Sequence, residues 1–338
     1  TNDFALCNTQ VSTPLSFSGS ATGYTWTNSN TGIGLLASGP SALPSFTATN
    51  AANTPITATI AVTPVFVNAG VTCTGSQDQF VITVNPTPSV TDPADQVKCN
   101  QTPTAAVSFT GTGTSYSWTN TAQSIGLATN GTGNILPFTA INNTNTPVVA
   151  TVEVTPIFVG SGASCPGSPQ NFTFTVNPTP VLVDPANQTV CNGGSTGLVN
   201  LVGTATSYTW TNNTTAIGLN ASGQGNIPVF TASNNTNTPV VAQVVFTPIY
   251  TGGGVSCPGT TQNMTFTVNP TPSVTAPSTQ VVCDNSLTSA VNFSGTATSY
   301  TWTNSLPSIG LLGNGTGNIA SFTALNASSV PVSSTVSI

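Results

Sequence analysis

The chain has almost no charge. Its 338 residues include one lysine (Lys98), no arginine, no histidine, one glutamate (Glu153) and six aspartates. Charged residues make up 2% of it, against about 25% in an ordinary soluble domain. Each absence closes a class of function. With a single cation the chain cannot neutralise phosphates, so no nucleic-acid partner is expected. Attraction to an anionic membrane fails for the same reason, and no apolar run is long enough for membrane insertion. Without histidine, the many Ser and Thr hydroxyls lack their usual activating base. The carboxylates Asp3, Asp78, Asp92, Asp95, Asp184 and Asp284 are scattered and give no recurring pair of the kind that cleaves glycosides. No catalytic residue, metal site or cofactor is therefore expected, and the chain reads as a non-enzyme.

What is present is a repeat. Trp26, Trp118, Trp210 and Trp302 are each 92 residues apart, as are Cys7, Cys99, Cys191 and Cys283, and Cys73, Cys165 and Cys257. A fixed period of this size means an array of similar modules. The expected domains are residues 1–88 (its N-terminal edge cut), 89–180, 181–272 and 273–338 (stopping before its last strand), so the chain reads as a window from a longer array. Aromatic and branched aliphatic residues suffice for a packed core in each. Surface loops tolerate insertions cheaply, so spacing this constant implies a constraint from outside each module.

Within the second repeat, Ala106–Thr110 alternates apolar and polar residues, as a half-buried strand does. Residues 115–119 place Tyr116 and Trp118 on one face. Ile125 and Leu127 precede a turn at 131–134, and residues 135–140 carry Phe138. A turn cluster spans 142–146. Val148, Ala150, Val152 and Val154 alternate with outward residues such as Glu153. A loop carrying Cys165 leads to a last strand with Phe172, Phe174 and Val176. About seven short strands with frequent turns and no helical periodicity give an all-β fold: a tandem array of immunoglobulin-like antiparallel β-sandwiches joined end to end. The four tryptophans take the core-aromatic position. The joints are Asn-Pro-Thr-Pro segments, in which Pro86 and Pro88, Pro178 and Pro180, and Pro270 and Pro272 make stiff linkers. A module of this size adds roughly 40 Å to a rod.

Seven cysteines without histidine or Cys-x-x-Cys indicate disulfides, not zinc, and hence an oxidising, extracellular location. Two pairings fit the spacing. The preferred one lies within modules, Cys7–Cys73, Cys99–Cys165 and Cys191–Cys257, with Cys283 pairing beyond the chain. The other crosses joints, Cys73–Cys99, Cys165–Cys191 and Cys257–Cys283, and stays open. Asp92, Asp95 and Asp184 follow joints where calcium could bind, but Ala276 stands at the matching place after the third, so they read as polar turn residues. Gly-rich stretches at 252–254 and 313–317 read as turns. Asn130, Asn142, Asn234 and Asn314 match the N-glycan acceptor pattern, as chance allows in an Asn/Thr-rich chain.

The recurring Tyr-Thr/Ser-Trp-Thr-Asn, Ile-Gly-Leu, Gly-Asn-Ile and Phe-Thr-Val-Asn-Pro-Thr-Pro segments resemble the PKD-like repeats of giant surface proteins of Bacteroidota, over essentially the whole chain. The resemblance implies stalks of exported adhesins and appendages, often delivered by type IX secretion. The acidic turn of the familiar PKD motif is missing after Trp26, Trp118, Trp210 and Trp302, so no role tied to it carries over.

The expected function is a shaft segment of an extracellular surface fibre used for attachment. Uncharged, amide-rich modules repel one another little, so copies of the chain itself are the expected partner, in a parallel homo-oligomeric filament. The alternative is a single-chain stalk whose loop tips bind glycans or proteins. Surface glycans or other cells would be reached through domains outside this chain.

Overall fold

The computed structural model describes residues 2–338, which form β-strands and four single 3₁₀ turns and no α-helix. In the first repeat the strands are β1 (Phe4–Cys7), β2 (Gly23–Asn28), β3 (Ser38–Pro40), β4 (Ile56–Asn68), β5 (Val71–Thr74) and β6 (Asp78–Asn85). The second repeat has β7 (Gln96–Cys99), β8 (Ser115–Asn120), β9 (Asn130–Thr132), β10 (Val148–Gly160), β11 (Ala163–Pro166) and β12 (Gln170–Asn177). The third has β13 (Gln188–Cys191), β14 (Ser207–Asn212), β15 (Ser222–Gln224), β16 (Val240–Gly252), β17 (Val255–Pro258) and β18 (Gln262–Asn269). Residues beyond form β19 (Val274–Thr275), β20 (Ser294–Gly295), β21 (Thr301–Asn304), β22 (Asn314–Thr316) and β23 (Val336–Ser337). Each of the first three repeats builds one six-stranded sheet in the order β1-β6-β4-β2-β3, with β5 paired to β4, and its two equivalents. The architecture is an all-β tandem array of immunoglobulin-like sandwiches.

The chain divides into two compact units. One comprises Thr1–Val181, Thr204–Thr206 and Ile249–Gly259, the other Leu182–Gly203, Ser207–Pro248 and Thr260–Ile338. The hairpin at the end of β16 thus belongs with the second repeat, not with the body of its own.

The long strand organises each sheet. Along β10, Ala150, Val152 and Val154 are fully buried while Val149 and Glu153 face outward, the two-residue alternation of a sheet with one face on the core. Its first half pairs with β12 and its last four residues with β11. Pro156 sits where that edge changes partner, a position that tolerates a residue with no N–H. The segment around Cys165, expected as a loop, is therefore a strand.

Two other expectations need correction. The sheets are not wholly antiparallel, because β1 runs parallel to β6, and β7 and β13 likewise to β12 and β18. The opposite layer is not made of regular strands. Residues 101–107 and 135–140 meet through the isolated bridges Pro103↔Thr139 and Val107↔Ile135 and a few single backbone bonds such as that from the Thr104 amide to Phe138 O at 2.9 Å. Pro103 and Pro137 each remove a ladder donor, and side chains take over: Thr104 Oγ1 accepts from the Phe138 amide at 3.1 Å and Asn134 Oδ1 from the Phe109 amide at 3.0 Å.

Trp118 is buried among Val107, Phe109, Ile125 and Phe172, and Trp26, Trp210 and Trp302 occupy the same place in their own clusters. The indole packs closely against a glycine of the neighbouring strand. A Cβ on Gly131 would fall 2.2 Å from the Trp118 ring, and one on Gly39, Gly223 or Gly315 2.4, 2.2 or 2.3 Å from its own Trp. Gly131→Ala is therefore expected to cost about 2 kcal/mol through overpacking, read as an earlier urea transition of the full chain. An unchanged midpoint would show that the ring moves aside freely.

Asn142 and Asn234 are 3% exposed. The Asn142 amide donates to Thr146 O at 2.8 Å and Val176 O at 2.7 Å, and Asn234 donates likewise to Thr238 O and Val268 O. They pin the turn before the long strand to the end of the last strand, so neither can accept a glycan in the folded chain. Asn130 and Asn314 are exposed.

Candidate functional site: the covalent joint between repeats

The structure contains two disulfides, Cys7–Cys165 and Cys99–Cys257, with Cα–Cα separations of 5.4 and 5.5 Å. Neither pairing expected from the spacing is present. Both bonds span 158 residues and join the first cysteine of one repeat to the second cysteine of the next.

The reason lies in the length of β4. Cys7 pairs with Asn85, at the end of the repeat where the linker leaves, and Val84 pairs with Ile56 at the start of β4. Cys73 pairs with Phe66 near the other end of β4. Ten residues of extended strand separate those two levels, about 33 Å, and a disulfide needs its Cα atoms within about 7 Å. A Cys7–Cys73 bond within the repeat is therefore excluded by the sheet itself, and Cys99–Cys165 by the equivalent strand. A bond across the joint from Cys73 to Cys99 would link opposite ends of adjoining repeats. The pairing that forms instead brings the β10–β11 hairpin back onto the exit end of the first repeat.

Polar and steric fit surround each bond. The fully buried Asn85 donates from Nδ2 to Gly160 O at 2.7 Å. Asn177, equally buried, donates to Gly252 O at 2.9 Å and Val255 O at 3.4 Å. Gly167 lies against the linker so closely that a Cβ would be 1.9 Å from Pro88 O, and Gly259 repeats this against Pro180 O. Pro86, Pro88, Pro178 and Pro180 are buried, so these two linkers are part of packed joints. At the third linker Pro270 is half-buried and Pro272, Cys191 and Cys283 are exposed. Cys165 and Cys257 are 1% exposed, whereas Cys73, their equivalent, is exposed and free.

No family model matches this chain, and no curated protein matches it. Among solved structures it is similar to the I9–I11 tandem of titin, at 11% identity over 80% of this chain and 97% of that one, with a TM-score of 0.26. It is similar to EC1–3 of mouse protocadherin-24 at 12% identity, 79% and 96% coverage and a TM-score of 0.34. EC1–4 of Drosophila N-cadherin matches at 12% identity, 97% and 92% coverage and a TM-score of 0.27. The likeness is one of tandem β-modules, and nothing of those proteins' biology passes to this chain.

The aspartates near the joints do not converge. Among the described residues no group of three or more His, Cys, Asp or Glu could hold a metal ion. Asp95 Oδ1 accepts from the Thr173 amide at 2.6 Å and Asp3 Oδ1 from the Val81 amide at 2.8 Å, while Asn187 does the same for Thr265 at 2.7 Å. An uncharged residue fills the role in the third repeat, so the carboxylate serves as a hydrogen-bond acceptor. No described helix is long and apolar enough to cross a membrane.

Two components of the joint were not singled out from sequence. Both had a signal: Asn85, Asn177 and Asn269 recur at the 92-residue period, as do Gly75, Gly167 and Gly259, each two residues after a cysteine.

Proposed function

We propose that this chain is a structural shaft segment of an extracellular bacterial surface fibre used for attachment, with residues 1–88, 89–180, 181–272 and 273–338 as its modules. The observation that carries this reading is the bonding of the first repeat to the second and of the second to the third by disulfides between equivalent cysteines. Bonds inside modules would stabilise independent beads, whereas bonds between modules serve the array. They also account for the constant loop spacing, since the hairpin, the linker and both cysteines must reach one another at every joint. Disulfides of this kind require an oxidising compartment, in keeping with export of the sort that the PKD-like resemblance implies. The nearly uncharged surface favours side-by-side association of copies into a parallel filament.

Electron microscopy of native surface material and sedimentation of the whole chain test the two halves of the proposal. Multi-stranded filaments and reversible oligomers are expected. Globular, unattached particles would overturn the shaft, and a strict monomer beside single thin threads would remove the lateral assembly alone.

A further inference from the structure

The first repeat carries an open groove of about 570 Å³ between the segment Ser16–Ala21 and the β4–β5 hairpin, lined among others by Phe17, Gly19, Ser20, Tyr24, Gly75 and Cys73. The same groove is filled in the second repeat. There the end of the preceding linker, residues 88–91, lies in it as an extended segment. Val90 bridges to Gly111, the Thr91 amide donates to Thr110 O at 2.7 Å and the Thr112 amide to Ser89 O at 3.0 Å. Thr112 Oγ1 accepts from the Ser89 amide at 2.8 Å, and Val90 enters the core cluster. Gly111 and Gly167 are needed because a Cβ on them would lie 2.1 Å from Ser89 O and 1.9 Å from Pro88 O. In the third repeat Thr204 Oγ1 accepts from the Val181 amide at 3.0 Å and Gly259 faces Pro180 O in the same way.

Every receiving group has its counterpart in the first repeat. Gly19 stands for Gly111, Ser20 for Thr112, Gly75 for Gly167 and Cys73 for Cys165. With the groove open, Phe17 is only half-buried where Phe109 is buried. The Tyr24 hydroxyl is buried without a hydrogen-bond partner, a fault that Tyr116 and Tyr208 do not share. Phe66, Val67 and Val71 on the hairpin are 50, 49 and 64% exposed.

We infer that this groove is a docking site for the linker end of another repeat: an extended, uncharged Asn-Pro-Thr-Pro-Ser-Val segment, its prolines pre-ordering it and its valine filling the space over Phe17. Cys73 at the rim is the acceptor for a disulfide from the same partner, as Cys165 is for Cys7. The inference rests on the docking geometry and not on fibre formation, so a monomer in sedimentation leaves it standing.

The test uses the three exposed thiols of the whole chain as internal controls. Asn85 is the ladder partner of Cys7 and its side chain reaches the hairpin that carries Cys165, so a peptide of residues 85–91 with cysteine in place of Asn85 turns its sulfur toward the hairpin that carries Cys73. The peptide is supplied as its mixed disulfide with cysteamine. The Cys73 thiolate attacks the peptide sulfur, the peptide–Cys73 disulfide forms and cysteamine leaves as a thiol, so no other oxidant is consumed. Non-covalent docking raises the effective concentration at Cys73, and labelling there about tenfold above Cys191 and Cys283 is expected. A scrambled peptide should label all three alike, and Gly75→Val, which fills the groove, should abolish the selectivity. Equal labelling of the three cysteines by the ordered peptide overturns the proposal.

Discussion

Pulled from its two ends, the oxidised chain is expected to stop lengthening far short of its contour. The covalent route from Cys7 to Cys257 crosses to Cys165, runs back along residues 165–99 and crosses again to Cys257, 66 residues in place of 250. At about 3.5 Å per extended residue the stretch between those cysteines reaches about 230 Å with both bonds intact and about 880 Å after reduction. Because the two bonds overlap in sequence, each shields most of the loop closed by the other. Removing one should also cost about 5 kcal/mol in the chain-entropy model for a loop of this length. Single-molecule extension with and without reductant measures the difference directly. The decisive control is Cys99→Ser: the route then becomes 92 residues, from Cys165 forward to Cys257, a small gain over the intact chain. Cys7→Ser with Cys99→Ser should release the full contour. Equal contour lengths in oxidised and reduced chains would show that the bonds seen between repeats do not form in the protein.

How much of this was legible in the sequence divides along the same line. Period-two alternation placed Ala150, Val152 and Val154 on the core face of β10, because a strand's environment is written in its own residues. The period of 92 located the four tryptophans in equivalent surroundings. What failed depended on distance along a strand. The alternation of Val148, Ala150, Val152 and Val154 marks only the first half of β10, which continues through Pro156 to Gly160. Proline usually ends a strand, and only the change of partner at that edge lets this one pass. With the segment before Cys165 read as a loop, nothing fixes its distance from Cys99. At full length the strand puts them at opposite ends, and the partner of Cys165 becomes Cys7. The joint stayed hidden for a related reason: Asn85 and Gly160 are 75 residues apart, and neither shows in isolation what it touches.

Gly167→Ala is expected to open the joint between the first two repeats while sparing their cores. The added Cβ would sit 1.9 Å from Pro88 O and 2.8 Å from its carbonyl carbon, both backbone atoms held by a buried linker. No rotamer change relieves such a clash; the hairpin or the linker must move. The cost is about 3 kcal/mol, at the upper end for overpacking by one methyl, and it falls on the docked form alone. In a glutathione buffer that makes Cys7–Cys165 about 150-fold easier to reduce at equilibrium, read as alkylation of Cys165, which docking keeps 1% exposed. Cys99–Cys257 reports in the same sample that the other joint is intact. Gly75→Ala supplies the control, because Gly75 occupies the equivalent position in a hairpin with no linker against it, its nearest neighbour being Pro64 Cγ at 2.9 Å. If the two substitutions weakened Cys7–Cys165 alike, the effect would belong to the hairpin and not to the joint. If only Gly167→Ala did so, glycine two residues after the cysteine is there to let one repeat close on the backbone of the one before it.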